Sequence, residues 1–177
     1  MTTKLNAQWI VGFTDGEGCF NLDVHIKNDM RWGLQMQPEF TVVQNSIDIQ
    51  ILHALKDYFG CGTVSVNRTD KTGTRYHYRV KSVKDLHEKI IPFFEQHQLK
   101  TKKQIEFKRF RNIVRLMNEG YHRVSLKNFL EIVDKGVELR ERLRPAECLT
   151  GKANKRRKVD EQIEKLRLDL QQNSELS

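Results

Sequence analysis

The segment at residues 6–27, NAQWIVGFTDGEGCFNLDVHIK, decides the fold because its hydrophobic period changes part-way along. After Asn6, a residue type that favours helix N-caps, apolar residues first recur at helical spacing. We predict a short helix over residues 6–14 and a break at residues 15–18, where two glycines occur. Residues 20–27 alternate apolar and polar types, which predicts a strand. The side chains expected to face a core are Phe20, Leu22, Val24 and Ile26.

The rest of the chain predicts a mixture of strands and helices around one sheet. The predicted elements are a strand at 34–42, a helix at 47–59, strands at 63–66 and 75–81, a helix from 83 that stops before Pro92, and helices at 102–116 and from about 126 to Pro145. Predicted N-caps are Ser46, Ser82 and Thr101, the last in a capping box with Gln104. Pro38 predicts an edge or a bulge. This order favours an α+β domain with one mostly antiparallel sheet.

Composition limits the class of protein. The chain has 177 residues and a formal charge of +8, enough for one domain or one domain with a tail. We expect a domain at 1–145 and a basic C-terminal appendage at 146–177 that contains the run Lys155–Lys158. No apolar stretch approaches the roughly 20 residues of a membrane span, and no secretory signal is recognisable. Three distant cysteines argue against a disulfide framework or a zinc site.

Polar and basic residues concentrate on one face of the predicted strands. Along residues 75–81, basic residues recur at every second position, and such a face repels itself unless an anion lies across it. Asn, Gln, Arg and Lys side chains are also those that contact base edges in the major groove. The candidate DNA-binding residues are Asn21, His25, Lys27, Arg31, Gln35, Gln37, Arg68, Arg75, His77, Arg79 and Lys81. A solvated sheet face is the alternative.

The segment Ile10–Gly18 carries a second functional signal. Gly12 lies mid-helix, where it costs about 1 kcal/mol relative to Ala, and close approach of another backbone is the usual compensation. At the helix end, free carbonyls beside the Glu17 carboxylate form a set of oxygen ligands suited to Mg²⁺. A glycine-rich turn with solvated acids is the alternative interpretation.

The same segment resembles the LAGLIDADG signature of homing endonucleases. Gly12, Asp15 and Gly18 match it letter for letter, and the strand alternation, the basic hairpin and the segment Leu99–Lys103 follow in the family's order. The resemblance implies a saddle-like sheet and a signature helix that packs on a second copy of itself. Because the chain carries one copy of the motif, it implies a homodimer, with Trp9, Gly12 and Phe13 at the interface. A homodimer would recognise a near-palindromic site in double-stranded DNA.

The resemblance also implies roles in divalent-metal-dependent phosphodiester hydrolysis. Glu17 and the carbonyl of Gly16 would bind Mg²⁺, with Mn²⁺ as a substitute. Gln44 would lie near the scissile phosphate or its water. Lys102 best matches the family's active-site lysine, with Lys100 and Lys103 as competitors.

Two departures from the family's pattern keep other functions open. The metal-binding acid is Glu17 where Asp is commoner, and Asp48 lies where some relatives have a basic residue. The alternative function is a non-cleaving, maturase-like or regulatory protein that binds RNA or DNA, and a basic interaction protein is a third. The resemblance implies an intracellular protein of an organelle, chloroplast or mitochondrion, or of a microbial cytoplasm.

Overall fold

The computed structural model describes residues 3–71, 73–141 and 153–175. Helix α1 (Ala7–Glu17) begins as expected, since the Asn6 side chain accepts a hydrogen bond from the Trp9 amide at 2.8 Å. The predicted break at 15–18 is wrong, because the helix continues through Gly16 to Glu17. A glycine inside a helix costs about 1 kcal/mol without ending it, and α1 buries Ile10, Val11 and Thr14 against the core.

Four antiparallel strands form one sheet in the order β1-β2-β4-β3. They are β1 (Gly18–Ile26), β2 (Leu34–Asn45), β3 (Thr63–Asp70) and β4 (Gly73–Val80). This confirms the predicted α+β class. Pro38 lies opposite Leu22, in the part of β2 that pairs with β1 alone, because pairing with β4 begins at Phe40. Pro38 therefore occupies an edge position, as expected for a residue without an amide hydrogen.

Strand alternation separates a core face from a polar face. The core side chains of the sheet include Phe20, Leu22, Phe40, Val42, Tyr78 and Val80, all of them buried. Val24 is partly buried against this core. Ile26 corrects the predicted core set: it lies at the end of β1 and is 44% exposed.

The helices pack on the apolar side of the sheet. They are α2 (Ile49–Phe59), α3 (Val83–Asp85), α4 (Ile91–Gln96), α5 (Lys103–Asn118), α6 (Tyr121–Val124), α7 (Leu126–Glu141) and α8 (Ala153–Glu175). A 3₁₀ turn (Ser46–Asp48) precedes α2, and a π turn (Leu86–Ile90) joins α3 to α4. Within the described ranges, no helix is both long enough and apolar enough to cross a membrane.

Two predicted helix boundaries change. Asn45 rather than Ser46 caps the turn before α2, by accepting a hydrogen bond from the Ile47 amide. Ser82 caps α3 as predicted. The helical segment continues past Pro92, because Pro92 lies in the first turn of α4, where its missing amide hydrogen leaves no helical bond unmade.

Helix α8 packs on the core of the preceding residues. Its Val159, Ile163 and Leu166 are buried and belong to the same hydrophobic cluster as β1 and α7. The predicted boundary at residue 145, together with Pro145 itself, lies outside the described residues. The division into a domain and a basic appendage stays a prediction, and α8 contributes apolar side chains to the domain's core.

Candidate nucleic-acid interface and metal site

Most of the candidate DNA-binding residues share the polar face of the sheet. Alternation places Asn21 and His25 opposite to the core residues of β1, and they pair across strands with Glu39 and Gln35. The residues on this face are Asn21, His25, Gln35, Gln37, Arg75, His77 and Arg79, with Arg68 opposite Arg75 beyond a bulge. Lys27 and Lys81 directly follow β1 and β4.

Arg31 lies apart from that face, in the connection between β1 and β2. Its Nη1 donates a hydrogen bond to the Arg123 carbonyl at 2.9 Å, and its guanidinium lies 4.5 Å from the centre of the Trp32 ring. The Arg31 side chain therefore connects the β1–β2 hairpin to α6. Only those guanidinium N–H groups that do not bond Arg123 are available to an anion.

Glu39 changes the electrostatics of the polar face. It is 8% exposed, and its Oε2 lies 3.2 Å from Arg79 Nε and 3.9 Å from Lys81 Nζ. Thr41 Oγ1 also donates to its Oε1 at 2.8 Å. The expected stack of uncompensated positive charges is therefore wrong, since a buried carboxylate offsets two of them. The sequence contained a signal for this carboxylate that was missed: Glu39 alternates with Gln35, Gln37 and Thr41, so it lies on the same face of β2 as they do.

His77 is nearly buried in the same face, with 6% of its surface exposed. Its Nε2 lies 2.8 Å from Ser65 Oγ, and its Nδ1 lies 3.4 Å from Asn67 Oδ1. Desolvation lowers the pKa of His77 below 6.5, and the charge of Arg79 lowers it further. The imidazole is therefore neutral at pH 7, and its contribution to this face is hydrogen bonding rather than positive charge.

The lowered pKa of His77 predicts a pH-dependent stability. The unfolded chain binds a proton at His77 near pH 6.5 and the folded chain only at lower pH, so stability falls as the pH drops below 6.5. We expect His77→Gln to reduce the loss of unfolding free energy between pH 7.5 and pH 5.5, measured by urea denaturation. His53→Gln, at an exposed site on α2, is the control and should keep the wild-type dependence. Equal pH dependence in wild type and His77→Gln would contradict this assignment.

Helix α1 has one buried side and one open side. Ile10, Val11 and Thr14 face the core, whereas Gly12 and Gly16 are exposed. A Cβ atom at either glycine would meet nothing within 4 Å beyond its own helix. Beside these glycines, Trp9 is 39% exposed and stacks on half-buried Phe13 at 4.6 Å. The open side is thus a flat strip of two glycines bordered by an aromatic pair.

Gly16 and Glu17 lie in the last turn of α1, and both are exposed. The carbonyl groups of a last helical turn have no partner within the helix, so they are available beside the Glu17 carboxylate. These hard oxygen donors fit Mg²⁺, which takes one or two carboxylates and completes its shell with phosphates and water. In the described ranges, no three His, Cys, Asp or Glu side chains cluster as a complete metal cage.

Asp15 joins the end of α1 to the segment before α5. Its Oδ2 accepts from the Lys100 amide at 2.7 Å, and its Oδ1 accepts from Thr101 Oγ1 at 2.7 Å and from the Thr101 amide at 3.3 Å. Thr101 Oγ1 accepts from the Lys103 amide at 3.2 Å, so the Thr101 side chain caps the first turn of α5. The reciprocal bond from Gln104 that would complete the predicted capping box is replaced, because Asp15 takes the Thr101 amide. Sequence reasoning assigned no role to Asp15.

The three candidate lysines have different surroundings. Lys103 Nζ donates a hydrogen bond to the Gly18 carbonyl, directly after Glu17. Lys102 is exposed at the start of α5, and Lys100 is exposed one residue before Thr101. Burial raises the pKa of Glu106, and the charges of Lys103 and Lys102 partly oppose this. All three lysines therefore lie in or next to the segment that Asp15 holds, and the Lys103 ammonium is bonded to the Gly18 carbonyl.

Gln44 lies near the end of β2, opposite Tyr76. It shares the strand side of Phe40 and Val42, so its half-buried side chain belongs to the helix side of the sheet. Asp48 follows in the 3₁₀ turn. The Gln44 side chain is therefore not part of the polar face of the sheet.

The comparisons with known proteins identify the family. A model described as LAGLIDADG endonuclease matches residues 10–114, more than half of the chain. The chain belongs to the LAGLIDADG endonuclease family. A crystal structure of the homing endonuclease I-TnaI shares this LAGLIDADG fold with a TM-score of 0.76 and 36% identity, covering 93% of this chain and 99% of that one.

Two further relatives extend the comparison. Homing endonuclease I-ApeII of Aeropyrum pernix is 28% identical over 154 residues, covering 86% of this chain and 85% of that protein. A structure of I-SmaMI bound to an uncleaved DNA target in the presence of calcium ions has a TM-score of 0.71 and 28% identity, covering 80% of this chain and 47% of that chain. The chain spans only 28–35% of the length of the first curated relatives it matches.

Proposed function

We propose that the chain is a site-specific homing endonuclease that cuts double-stranded DNA as a homodimer, on a long, near-palindromic site and with a divalent metal. The observation that carries this proposal is the placement of Glu17 and Gly16 at the exposed end of α1. Encoding within an intron of an organellar or microbial genome is part of the same proposal.

The open strip of α1 supports the homodimer. Two glycines one turn apart allow another backbone to approach closely, and no residue in the described ranges lies within 4 Å of a Cβ placed at either one. A second copy of α1 packed there about a two-fold axis would bury Trp9 and Phe13 and would bring two Glu17 carboxylates together. Two carboxylates near DNA phosphates repel unless cations neutralise them, which agrees with metal-dependent hydrolysis.

The chain's own residues then have separate tasks. Glu17 and the Gly16 carbonyl would hold Mg²⁺, or Mn²⁺ in its place, which when bound activates a water molecule and stabilises charge on the phosphate. Gln44 would orient the attacking water through its amide. Lys102, the best match to the family's lysine, would stabilise the phosphate charge. Lys100 is its competitor, because the ammonium of Lys103 is bonded to the Gly18 carbonyl.

The polar face of the sheet would contact the DNA. Its amide side chains can bond base edges in the major groove, which admits a two-stranded β-ribbon, while Arg75 and Arg68 near the β3–β4 turn supply phosphate contacts. Each neutralised phosphate should contribute about −0.9 to the slope of log K against log salt.

Glu39 is expected to limit non-specific DNA affinity. Glu39→Gln removes the carboxylate that neutralises Arg79 and Lys81, so we expect tighter binding to random-sequence DNA and a salt slope more negative by about 1. Glu95→Gln is a matched control, because Glu95 also lies between two arginines, Arg111 and Arg115, on the helical side. Fluorescence anisotropy at several salt concentrations measures both slopes. An unchanged slope for Glu39→Gln would show that Arg79 and Lys81 do not contact phosphate.

Asp48 favours one alternative function, a non-cleaving protein that binds DNA or RNA in a maturase-like or regulatory role. Its carboxylate follows Gln44 by four residues, in the turn before α2, where it would oppose phosphate rather than attract it. Under this alternative the polar face binds nucleic acid and the end of α1 performs no chemistry.

The deciding experiment uses the purified chain and DNA of its host locus without the intron. We expect double-strand cleavage at one position, dependent on Mg²⁺ and absent with EDTA. Binding without cleavage, with Mg²⁺ or Mn²⁺ present, would instead support the non-cleaving alternative. Absence of binding at low salt would contradict both functions.

A further inference from the structure

We propose that Asp15 is a positioning residue: its carboxylate clamps the lysine-bearing segment before α5 onto the metal-binding end of α1. This inference rests on the proposed function, because it concerns how that site is assembled. In this proposal Asp15 itself touches neither DNA nor metal; it positions the residues that do.

The hydrogen bonds of Asp15 use both of its oxygens. Oδ2 accepts from the Lys100 amide and Oδ1 from the amide and hydroxyl of Thr101, at distances of 2.7–3.3 Å. The partners lie 85 and 86 residues further along the chain. Hydrogen bonds to a charged acceptor are stronger than neutral ones, so one side chain fixes the relative position of two distant segments.

Without these hydrogen bonds, the location of Asp15 would be electrostatically unfavourable for a carboxylate. A carboxylate in the last turn of a helix faces the negative end of the helix dipole. Here it also meets amides just before α5, where the dipole of the second helix is positive. Asp15 thus holds Thr101, whose own Oγ1 accepts from the Lys103 amide at the first residue of α5.

A second contact holds the other side of Glu17. Lys103 Nζ donates to the Gly18 carbonyl, and Gly18 itself packs so tightly that a Cβ there would lie 2.5 Å from Thr14 Cγ2. Glu17 therefore lies between two residues, Asp15 and Gly18, that are each bonded to the start of α5. Because α1 and α5 are held by one junction, the distance from Glu17 to Lys100 and Lys102 depends on it.

The junction lies outside the hydrophobic core. Asp15 is half-buried and Lys100 and Thr101 are exposed, whereas α5 is anchored independently by buried Phe107 and Phe110. Loss of the clamp should therefore leave the fold intact while it displaces the lysines relative to Glu17. A displacement of about 1 Å at a catalytic site can reduce the rate about 100-fold.

The test is Asp15→Asn, which keeps the shape but replaces one acceptor oxygen by an NH₂ group that faces amide donors. With target DNA and Mg²⁺, we expect kcat to fall about 10- to 100-fold while KM changes less than about threefold. Thr101→Ser retains the hydroxyl donor and should cleave like wild type, whereas Thr101→Val should show a smaller loss than Asp15→Asn. Asp85→Asn is the matched control, since Asp85 is also a half-buried carboxylate at a helix end and pairs with Lys89, away from this junction.

Amide hydrogen exchange gives a readout that does not depend on cleavage. We expect faster exchange at Lys100 and Thr101 in Asp15→Asn and unchanged exchange at Phe107 and Phe110. Unchanged exchange at Lys100 and Thr101, or unchanged kcat in an active enzyme, would overturn the proposal. A fall in melting temperature that accounts for the whole loss of activity would also overturn it. If the wild type does not cleave, the proposed function fails, and the exchange data still decide whether Asp15 holds this segment.

Discussion

Glu17→Gln should abolish cleavage, with a fall in rate of roughly 10³-fold or more, equivalent to about 4 kcal/mol of transition-state stabilisation. The exposed Glu17 is the carboxylate that the end of α1 offers to a metal, and an uncharged amide binds Mg²⁺ far more weakly. DNA binding without metal should be retained or slightly tightened, because a negative charge near phosphates is removed. Single-turnover cleavage and anisotropy measure the two effects separately.

Glu88→Gln is a suitable control for this substitution. Glu88 is an exposed glutamate in the π turn before α4, so its neutralisation changes the net charge equally without affecting α1. It should cleave like wild type. Cleavage by Glu17→Gln within about tenfold of wild type would show that Glu17 does not bind the catalytic metal.

The second large effect is expected from Gly12→Leu, which should convert a dimer into a monomer. Within the described part of the chain, a Cβ atom at this exposed position meets nothing within 4 Å, so folding should be little affected. At a two-fold interface, by contrast, two leucines would hold the paired helices apart. Overpacking costs about 1–3 kcal/mol for each inserted side chain, so two copies should weaken association at least about 30-fold. Sedimentation velocity over a range of concentrations measures this directly.

A leucine on another exposed helix surface controls for non-specific effects. Asn112→Leu, on the outside of α5, adds the same apolar group and should leave the association state unchanged. If Gly12→Leu sediments as wild type does, the open strip of α1 is not the dimer interface. Loss of cleavage together with dimerisation would further show that the site requires two copies.

The sequence predicted those parts of the fold that local patterns control. The Asn6 cap, the alternation of β1 and the α+β class are all present in the structure. Each depends on residues close together in the chain, or on strand alternation that one buried face fixes. Ile26 was misplaced because alternation gives the face of a strand but not the position where the core ends.

Tertiary contacts account for the failures at the site. The capping box at Thr101 was a sound local prediction, but a carboxylate 86 residues away takes its amide. Likewise, charges on β4 were considered without Glu39, which lies on the neighbouring strand and neutralises Arg79. Contacts between residues far apart in the chain, such as Glu39 with Arg79, cannot be predicted from local sequence unless the strand register is known. The roles assigned to Glu17, Gln44 and Lys102 stay predictions that the proposed variants can test.

The Glu39 cluster has a consequence for changing the target sequence by selection from libraries. Substitutions at His25 should combine almost additively with those at Arg79, because His25 pairs with Gln35, four residues along β2 from Glu39. Arg79, Glu39 and Thr41 share hydrogen bonds and ion pairs, so their effects should be strongly interdependent. A library that varies Arg79 alone would leave a buried carboxylate poorly compensated and would reject otherwise useful variants. Retargeting should therefore randomise these three positions as one block.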